Sequence, residues 1–407
     1  MTGPFPVPAD PAFDPAGRFG IDAFDLALIW AFETKASHIM VVSGEPLWVH
    51  AAGRWTKTGG RRFSHAEAEG ILLDICGVNG VAEIRSGSPK EFSYTVKSRG
   101  SYRSLPFRIS AAGCHSVGGF GFTLNISPPP RLAVDWALLG VEPEITASLR
   151  PAAGLNLFAG ATGSGRSTLM SSAIRHICED PGRHENVIEI LDPIRHCYDG
   201  LDFPHSFVSQ SEIGTHISPH CGSDAWSRGL ENALRRCPSI IAIGECRNGI
   251  GRCIDAAIAG HLVMAGMAAA DVPGVIRRVL KMFEPEELRT GAFDLLEALN
   301  MIVVQRLVGR VGGGLAAVRE FAVFDSRARD SLSRIEPALW PAKIRGMLDA
   351  GCHGNAAITG RSMAASAAAM CDAGTIAAGT AGWIAARAGA GSAPPPPEDP
   401  SAAGGAG

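Results

Sequence analysis

The run Gly160-Ala161-Thr162-Gly163-Ser164-Gly165-Arg166-Ser167-Thr168 constrains this chain more than any other segment. It follows an apolar stretch at 154–159 that reads as a strand, and it opens a stretch at 167–177 with helical spacing. Glycines at such a junction let backbone N–H groups turn inward around phosphate oxygens, and the helix N-terminus adds positive potential. Gly160, Thr162, Gly163, Ser164, Gly165, Arg166, Ser167 and Thr168 are therefore candidate nucleotide-binding residues, with the Ser167 hydroxyl placed for Mg²⁺. The bland alternative is a glycine-rich turn in a chain with 49 glycines. The strand before it and the helix after it argue against that. Arg166 stands where such loops carry a lysine. Its charge is kept, but a long planar fork cannot act as a compact cation between phosphates, so binding survives the change more readily than turnover.

The remaining pattern divides the chain. Residues 1–20 are rich in Pro, Ala and Gly and read as disordered. A helix is expected over 21–33, followed by short β-rich runs at 41–42, 47–49, 92–96, 107–109 and 120–126, with one helix near 65–75. Residues 21–127 thus form an α+β domain, and Pro128-Pro129-Pro130 starts an extended linker over 128–140. From 141 to 348, strands at 154–159, 187–191, 239–244 and 261–265 alternate with helices at 167–177, 226–236, 252–259 and 275–282. That alternation means an α/β domain with a mainly parallel sheet covered on both faces. A helix over 293–307 and a strand pair near 316–324 follow. Residues 349–407, rich in Ala, Gly and Pro, read as a largely disordered tail.

Composition excludes several classes. Hydrophobic residues make up 46% and charged residues 19%, enough for two cores, and the formal net charge of −3 offers no basic stripe for nucleic acid. Direct sequence-specific nucleic-acid binding is not expected. The ten cysteines form no C-x-x-C pair. His196-Cys197 and His220-Cys221 are weak metal-ligand candidates against ordinary thiols. No apolar run reaches the ~20 residues of a membrane span, since His261 interrupts the best one at 256–272. The start lacks a signal-peptide pattern, so a cytoplasmic location is expected, with any membrane association peripheral.

Several further segments share an order with one family. Leu191-Asp192-Pro193-Ile194, Ile243-Gly244-Glu245-Cys246-Arg247-Asn248, Gly260-His261-Leu262-Val263 and Val304-Gln305-Arg306-Leu307-Val308 follow the glycine-rich loop in sequence. Together with Ala36-Ser37-His38-Ile39 and Phe107-Arg108-Ile109 they resemble the secretion and pilus-retraction traffic ATPases (GspE/PilT-like) over roughly residues 20–345. The 293–308 stretch is most similar to the plasmid-transfer and Dot/Icm type IVB branch. The resemblance implies a PAS-like N-terminal domain, a RecA-like P-loop domain, ATP and Mg²⁺ as ligands, and a homo-hexameric ring with nucleotide at subunit boundaries. It also implies docking on an inner-membrane secretion platform and its transfer components. By position, Glu245 would orient the attacking water, Asp192 would sit near Mg²⁺, Arg108 would approach phosphate, and His261 would be the first histidine of a histidine box.

Departures from the family pattern cluster at these positions. Leu191 replaces the glutamate of Glu-Asp-Pro, Asn248 an aspartate, Ala268 the second histidine, and Ser211 an arginine expected after Gln210. Each removes a charge or a proton-handling group from chemistry that depends on electrostatic positioning. Two readings stay open. One is an ATP-binding motor of a conjugative, type IVB-like secretion or pilus system with slow or degenerate hydrolysis. The other is a non-hydrolysing, nucleotide-binding structural subunit of such a platform.

Overall fold

The computed structural model describes residues 19–51, 54–58, 60–96, 105–116, 119–213, 216–217, 225–246, 249–351 and 358–386. The expected disorder of residues 1–18, the His220-Cys221 pair, Arg247 and Asn248 lie outside these residues. The chain divides into two compact units, residues 1–130 and 131–407.

The first unit runs α1 (Ile21–Glu33), β1 (His38–Val42), β2 (Leu47–Ala51), β3 (Arg54–Thr58), α2 (His65–Arg85), β4 (Lys90–Val96), β5 (Leu105–Ser116) and β6 (Gly119–Ser127). Its six strands form an antiparallel sheet in the order β3-β2-β1-β6-β5-β4. The period-2 alternation in β5 turns Phe107, Ile109 and Ala111 onto a core shared with Phe24 and Leu28 of α1 and with Ile71 and Leu72 of α2. α2 starts at a capping box, in which Ser64 Oγ accepts from Glu67 N while Glu67 Oε2 accepts from Ser64 N. It runs past residue 75 to Arg85 because Gly77, at φ +73°, absorbs a kink that a side chain would resist. The expected unstructured N-terminus ends earlier than residue 20. Phe19 is buried, and its N–H donates to Glu67 Oε1 at 2.8 Å.

The second unit begins with β7 (Arg131–Leu132), a 3₁₀ turn (Trp136–Leu139) and α3 (Pro143–Ala147). The extended linker expected over 128–140 is therefore corrected from residue 131 onward. β7 pairs in parallel with β10 (His196–Cys197), and Trp136 is buried against the sheet. The main succession is β8 (Gly154–Ala159), α4 (Arg166–Glu179), β9 (Asn186–Leu191), β11 (Phe207–Glu212), α5 (Ala225–Leu234), β12 (Ile240–Ile243), α6 (Ile250–Ile258), β13 (Leu262–Met267) and α7 (Val272–Leu280). It closes with α8 (Leu288–Ala298), β14 (Leu299–Gly309), β15 (Leu315–Val323), α9 (Ser326–Ser333), α10 (Trp340–Gly351), β16 (Thr359–Arg361), α11 (Met363–Asp372) and α12 (Ala378–Ala386).

The sheet order is β11-β9-β12-β13-β8-β14-β15-β16, parallel from β11 through β14 and antiparallel beyond. Both faces are covered. Leu155 and Leu157 of β8 meet the core built with α6, α7 and α8, while Phe158 points to the opposite face with Leu169 and Ile174 of α4. This is the doubly covered parallel sheet of a P-loop domain, preceded by a smaller α+β unit.

Two further expectations fail for physical reasons. The helix expected over 293–307 stops at Ala298, and residues 299–309 form β14 between β8 and β15. The β-branched run Ile302-Val303-Val304 fits a buried pleated surface better than a helix. The tail expected to be disordered from 349 is ordered over 358–386. β16 extends the sheet from β15, Ser362 caps α11, and Met363, Ala367, Ile376 and Ile384 join the main core. Low charge and high alanine content there reflect packed helices.

Candidate nucleotide site

β8 is buried along its whole length and delivers the chain to a turn held by glycine. Gly160, Gly163 and Gly165 have φ of +150°, +80° and +82°, a region that L side chains resist. Ser164 N donates to Ala161 O at 3.1 Å, and Leu169 N donates to Gly165 O at 2.9 Å, which starts α4. Thr162, Gly163 and Ser167 lie on the exposed rim, whereas Ser164 is buried and its Oγ has no hydrogen-bond partner among the described residues. Arg166 opens the helix, and its Nη1 is likewise buried with no partner among the described residues. A glycine turn at a helix N-terminus, with a buried hydroxyl and a buried guanidinium nitrogen left unmatched among the described residues, fits a polyphosphate.

The other nitrogen of Arg166 is engaged. Nη2 lies 3.7 Å from Glu245 Oε2 on the loop after β12. Burial lowers the Arg166 pKa from its ordinary value, Glu245 pulls it back up, and Arg278 lowers it further. Arg278, in the last turn of α7, donates from Nη1 to Ala268 O at 3.2 Å. Arg195 is lowered chiefly by desolvation, with Asp192 opposing and Arg166 adding to the effect. Three arginines thus share one electrostatic neighbourhood with Glu245 and Asp192. Sequence reasoning missed Arg195 and Arg278. Arg195 was within reach of it, lying three residues after Asp192, but Arg278 is brought in by α7.

Asp192 follows β9 at a cis Asp192–Pro193 bond, at the same sheet edge as the loop after β8. β9, β12, β13 and β8 are in parallel register, so their C-terminal ends gather Asp192, Glu245, Ala268 and the glycine-rich loop. The same register corrects the placing of His261. It precedes β13 at the opposite end of the sheet, where Leu262 pairs with Gly154, and its Nδ1 is 2.8 Å from Pro238 O. Six strand residues at ~3.3 Å each put it about 20 Å from the loop, too far for catalysis. Ala268 does reach the loop side: with Ala269, Ala270, Ala161, Ser164 and Gln305 it lines a cavity of about 270 Å³.

Thr168 is held from beyond the loop, its Oγ1 lying 3.3 Å from His196 Nε2. Burial, then Arg195 and Arg131, push the His196 pKa down to about 4, so the ring is neutral at pH 7. Beside it Glu189 is fully buried, and desolvation pushes its pKa up to about 7 against hydrogen bonds from Gln210 Nε2 (2.7 Å) and Tyr198 OH (3.2 Å). Ser211 occupies β11 opposite Ile190. Arg108 belongs to the first unit, on β5, where Nη2 lies 2.7 Å from Glu91 Oε2. Among the described residues no group of three His, Cys, Asp or Glu could hold a metal, and no helix is long and apolar enough to cross a membrane.

A parallel sheet with a glycine-rich loop after β8, a helix behind it and a glutamate on the loop after β12 is the arrangement of a P-loop domain. The chain belongs to the type II/IV secretion system protein family, whose model matches residues 100–333. It is 31% identical over 318 residues to the type IV pilus ATPase PilU of Pseudomonas aeruginosa, covering 77% of this chain and 78% of that one. To the type IV pilus retractation ATPase PilT of the same organism it is 25% identical over 304 residues, or 74% and 82% of the two chains. The structure of the ATPase DotB of Legionella pneumophila superimposes with a TM-score of 0.82 at 28% identity, covering 92% of this chain and 98% of that one.

Proposed function

We propose that this chain is the ATP-binding motor subunit of a type IV secretion or pilus system of the conjugative, type IVB-like kind, and that its hydrolysis is slow. The observation that carries the reading is the phosphate loop itself, with Arg166 Nη1 and Ser164 Oγ buried and unmatched at its floor. Residues 160–168 would cradle the phosphates, Arg166 would neutralise them, and the Ser167 hydroxyl would meet Mg²⁺. The bound ion would supply charge neutralisation for phosphoryl transfer. Glu245 would hold the attacking water, and Asp192 would support the metal side. Arg108 would contribute to phosphate binding, and the chain would assemble as a homo-hexameric ring docked at the cytoplasmic face of an inner-membrane platform.

One observation favours the second reading, a nucleotide-binding subunit without turnover. Arg166 lies against Glu245, so the cation and the general base hold each other where the reaction needs them apart. Parallel measurement of Mg-ATP binding and phosphate release on the purified chain separates the two. Micromolar binding with slow but measurable release supports the motor, and binding with no release supports the structural subunit. Absence of Mg-ATP binding refutes both. Light scattering with saturating Mg-ATP should show a ring, and a strictly monomeric mass would count against it.

A further inference from the structure

Arg319, on β15, is 2% exposed, yet its guanidinium is used at every nitrogen. Nε donates to Gln305 Oε1 at 2.9 Å, Nη1 to Gly140 O at 3.1 Å and to Glu142 Oε2 at 3.2 Å, and Nη2 to Leu139 O at 3.0 Å. Gln305, opposite it on β14, turns the other end of its amide to the phosphate loop, where Nε2 donates to Ser164 O at 2.8 Å. The amide has only one orientation that works, because Arg319 can only donate and a carbonyl can only accept. A side chain added at Gly165 would strike Gln305 Nε2 at 2.7 Å, and one added at Gly160 would strike Gln305 O at 2.5 Å. The loop's glycines are thus shaped around Gln305 as well as around phosphate.

Every nitrogen of Arg319 and both ends of the Gln305 amide are engaged within the protein. Gln305 and Arg319 spend their hydrogen bonds on backbone carbonyls, on Glu142 and on each other, and both are buried. Their hydrogen-bonded link to the site runs through the loop backbone, at Ser164 O. The far end of the chain of bonds is residues 139–142, part of the segment by which the polypeptide leaves the first unit.

We propose that Arg319 and Gln305 are positioning residues, a buried relay that ties residues 139–142 to the phosphate loop and makes the order of each depend on the other. The consequence for affinity rests on the nucleotide reading above; the relay itself does not. A change at residues 139–142 would loosen or tighten the loop's N–H cradle, and a filled cradle would stiffen residues 139–142.

The test uses two substitutions at one position in the full chain. Gln305→Met removes both links. Gln305→Glu keeps an acceptor for Arg319 but sets an oxygen against Ser164 O. Amide hydrogen exchange is read without nucleotide at residues 139–142, at 163–166 and, as a control, in β12 and β13. Gln305→Met should speed exchange about tenfold or more at both ends of the relay and leave the control strands unchanged. Gln305→Glu should speed it at the loop and spare residues 139–142. Mg-ATP affinity, followed with a fluorescent analogue, should fall about tenfold in both. Unchanged exchange at 139–142 in Gln305→Met, or identical patterns in the two variants, would overturn the relay. A parent chain that binds no nucleotide would overturn the nucleotide reading, while the exchange data would still decide the relay.

Discussion

Replacing Glu245 by glutamine should tighten Mg-ATP binding while ending its hydrolysis, and the structure sets the size of the effect. Glu245 Oε2 stands 3.7 Å from Arg166 Nη2, and both side chains retain some solvent contact, at 24% and 17% of full exposure. At that distance and an effective dielectric of about 20 the pair attracts by about 4 kcal/mol, an upper bound on what phosphate must displace. Rehydration of the released carboxylate and screening by water return most of it, leaving about 1–2 kcal/mol. Glutamine keeps the shape, frees the guanidinium and removes a negative charge that would face the phosphates. The expected gain is about five- to thirtyfold in affinity, at 1.4 kcal/mol per factor of ten. Titration with a fluorescent ATP analogue at low and moderate salt measures it. The gain should shrink as salt rises, because the pair is partly exposed. Unchanged or weaker binding by Glu245→Gln would show that the Arg166–Glu245 contact does not compete with nucleotide, and the account of slow turnover would lose its main support.

Arg166→Lys should keep Mg-ATP binding and raise phosphate release, yet stay about a hundredfold or more below a variant that also carries Leu191→Glu and Ala268→His, since one preorganised contact commonly contributes ~3 kcal/mol. Equal rates in the two would show that Leu191 and Ala268 are harmless. Glu189 has its folded-state pKa raised to about 7 from an ordinary 4.5, so its contribution to stability is full below the lower value and is lost as pH rises through the upper one. Urea unfolding at pH 5 and pH 8 should therefore show the parent losing about 2–3 kcal/mol relative to Glu189→Gln, and parallel curves would contradict the assignment. A chain ended at residue 351 loses β16, α11 and α12 and uncovers the core that Met363, Ile376 and Ile384 close. Its melting temperature should fall by about 10 °C or more, and an unchanged value would mean that these helices contribute nothing to the fold.

The sequence alone determined the features that depend on local chemistry. The glycine-rich loop was legible because positive φ at Gly160, Gly163 and Gly165 leaves a signature in residue type, and the strand and helix beside it because their periodicities differ. Asp192 and Glu245 were legible from their place in ordered motifs. What the tertiary structure decided depends on where strands end and what lies across from them. Residues 299–309 look equally apolar as helix or strand until β8 and β15 pair with them on either side. His261 sits in a recognisable motif, yet parallel register places it at the wrong end of the sheet. The alanine-rich segment 358–386 carries few charges and packs through Met363, Ala367, Ile376 and Ile384 on the main core and through β16 on β15, a fact composition cannot distinguish from disorder. Arg166 against Glu245, and Gln305 between Arg319 and Ser164, join residues 79, 14 and 141 positions apart. No local pattern encodes such contacts, because each exists only where the fold pairs particular strands and brings their connecting loops together.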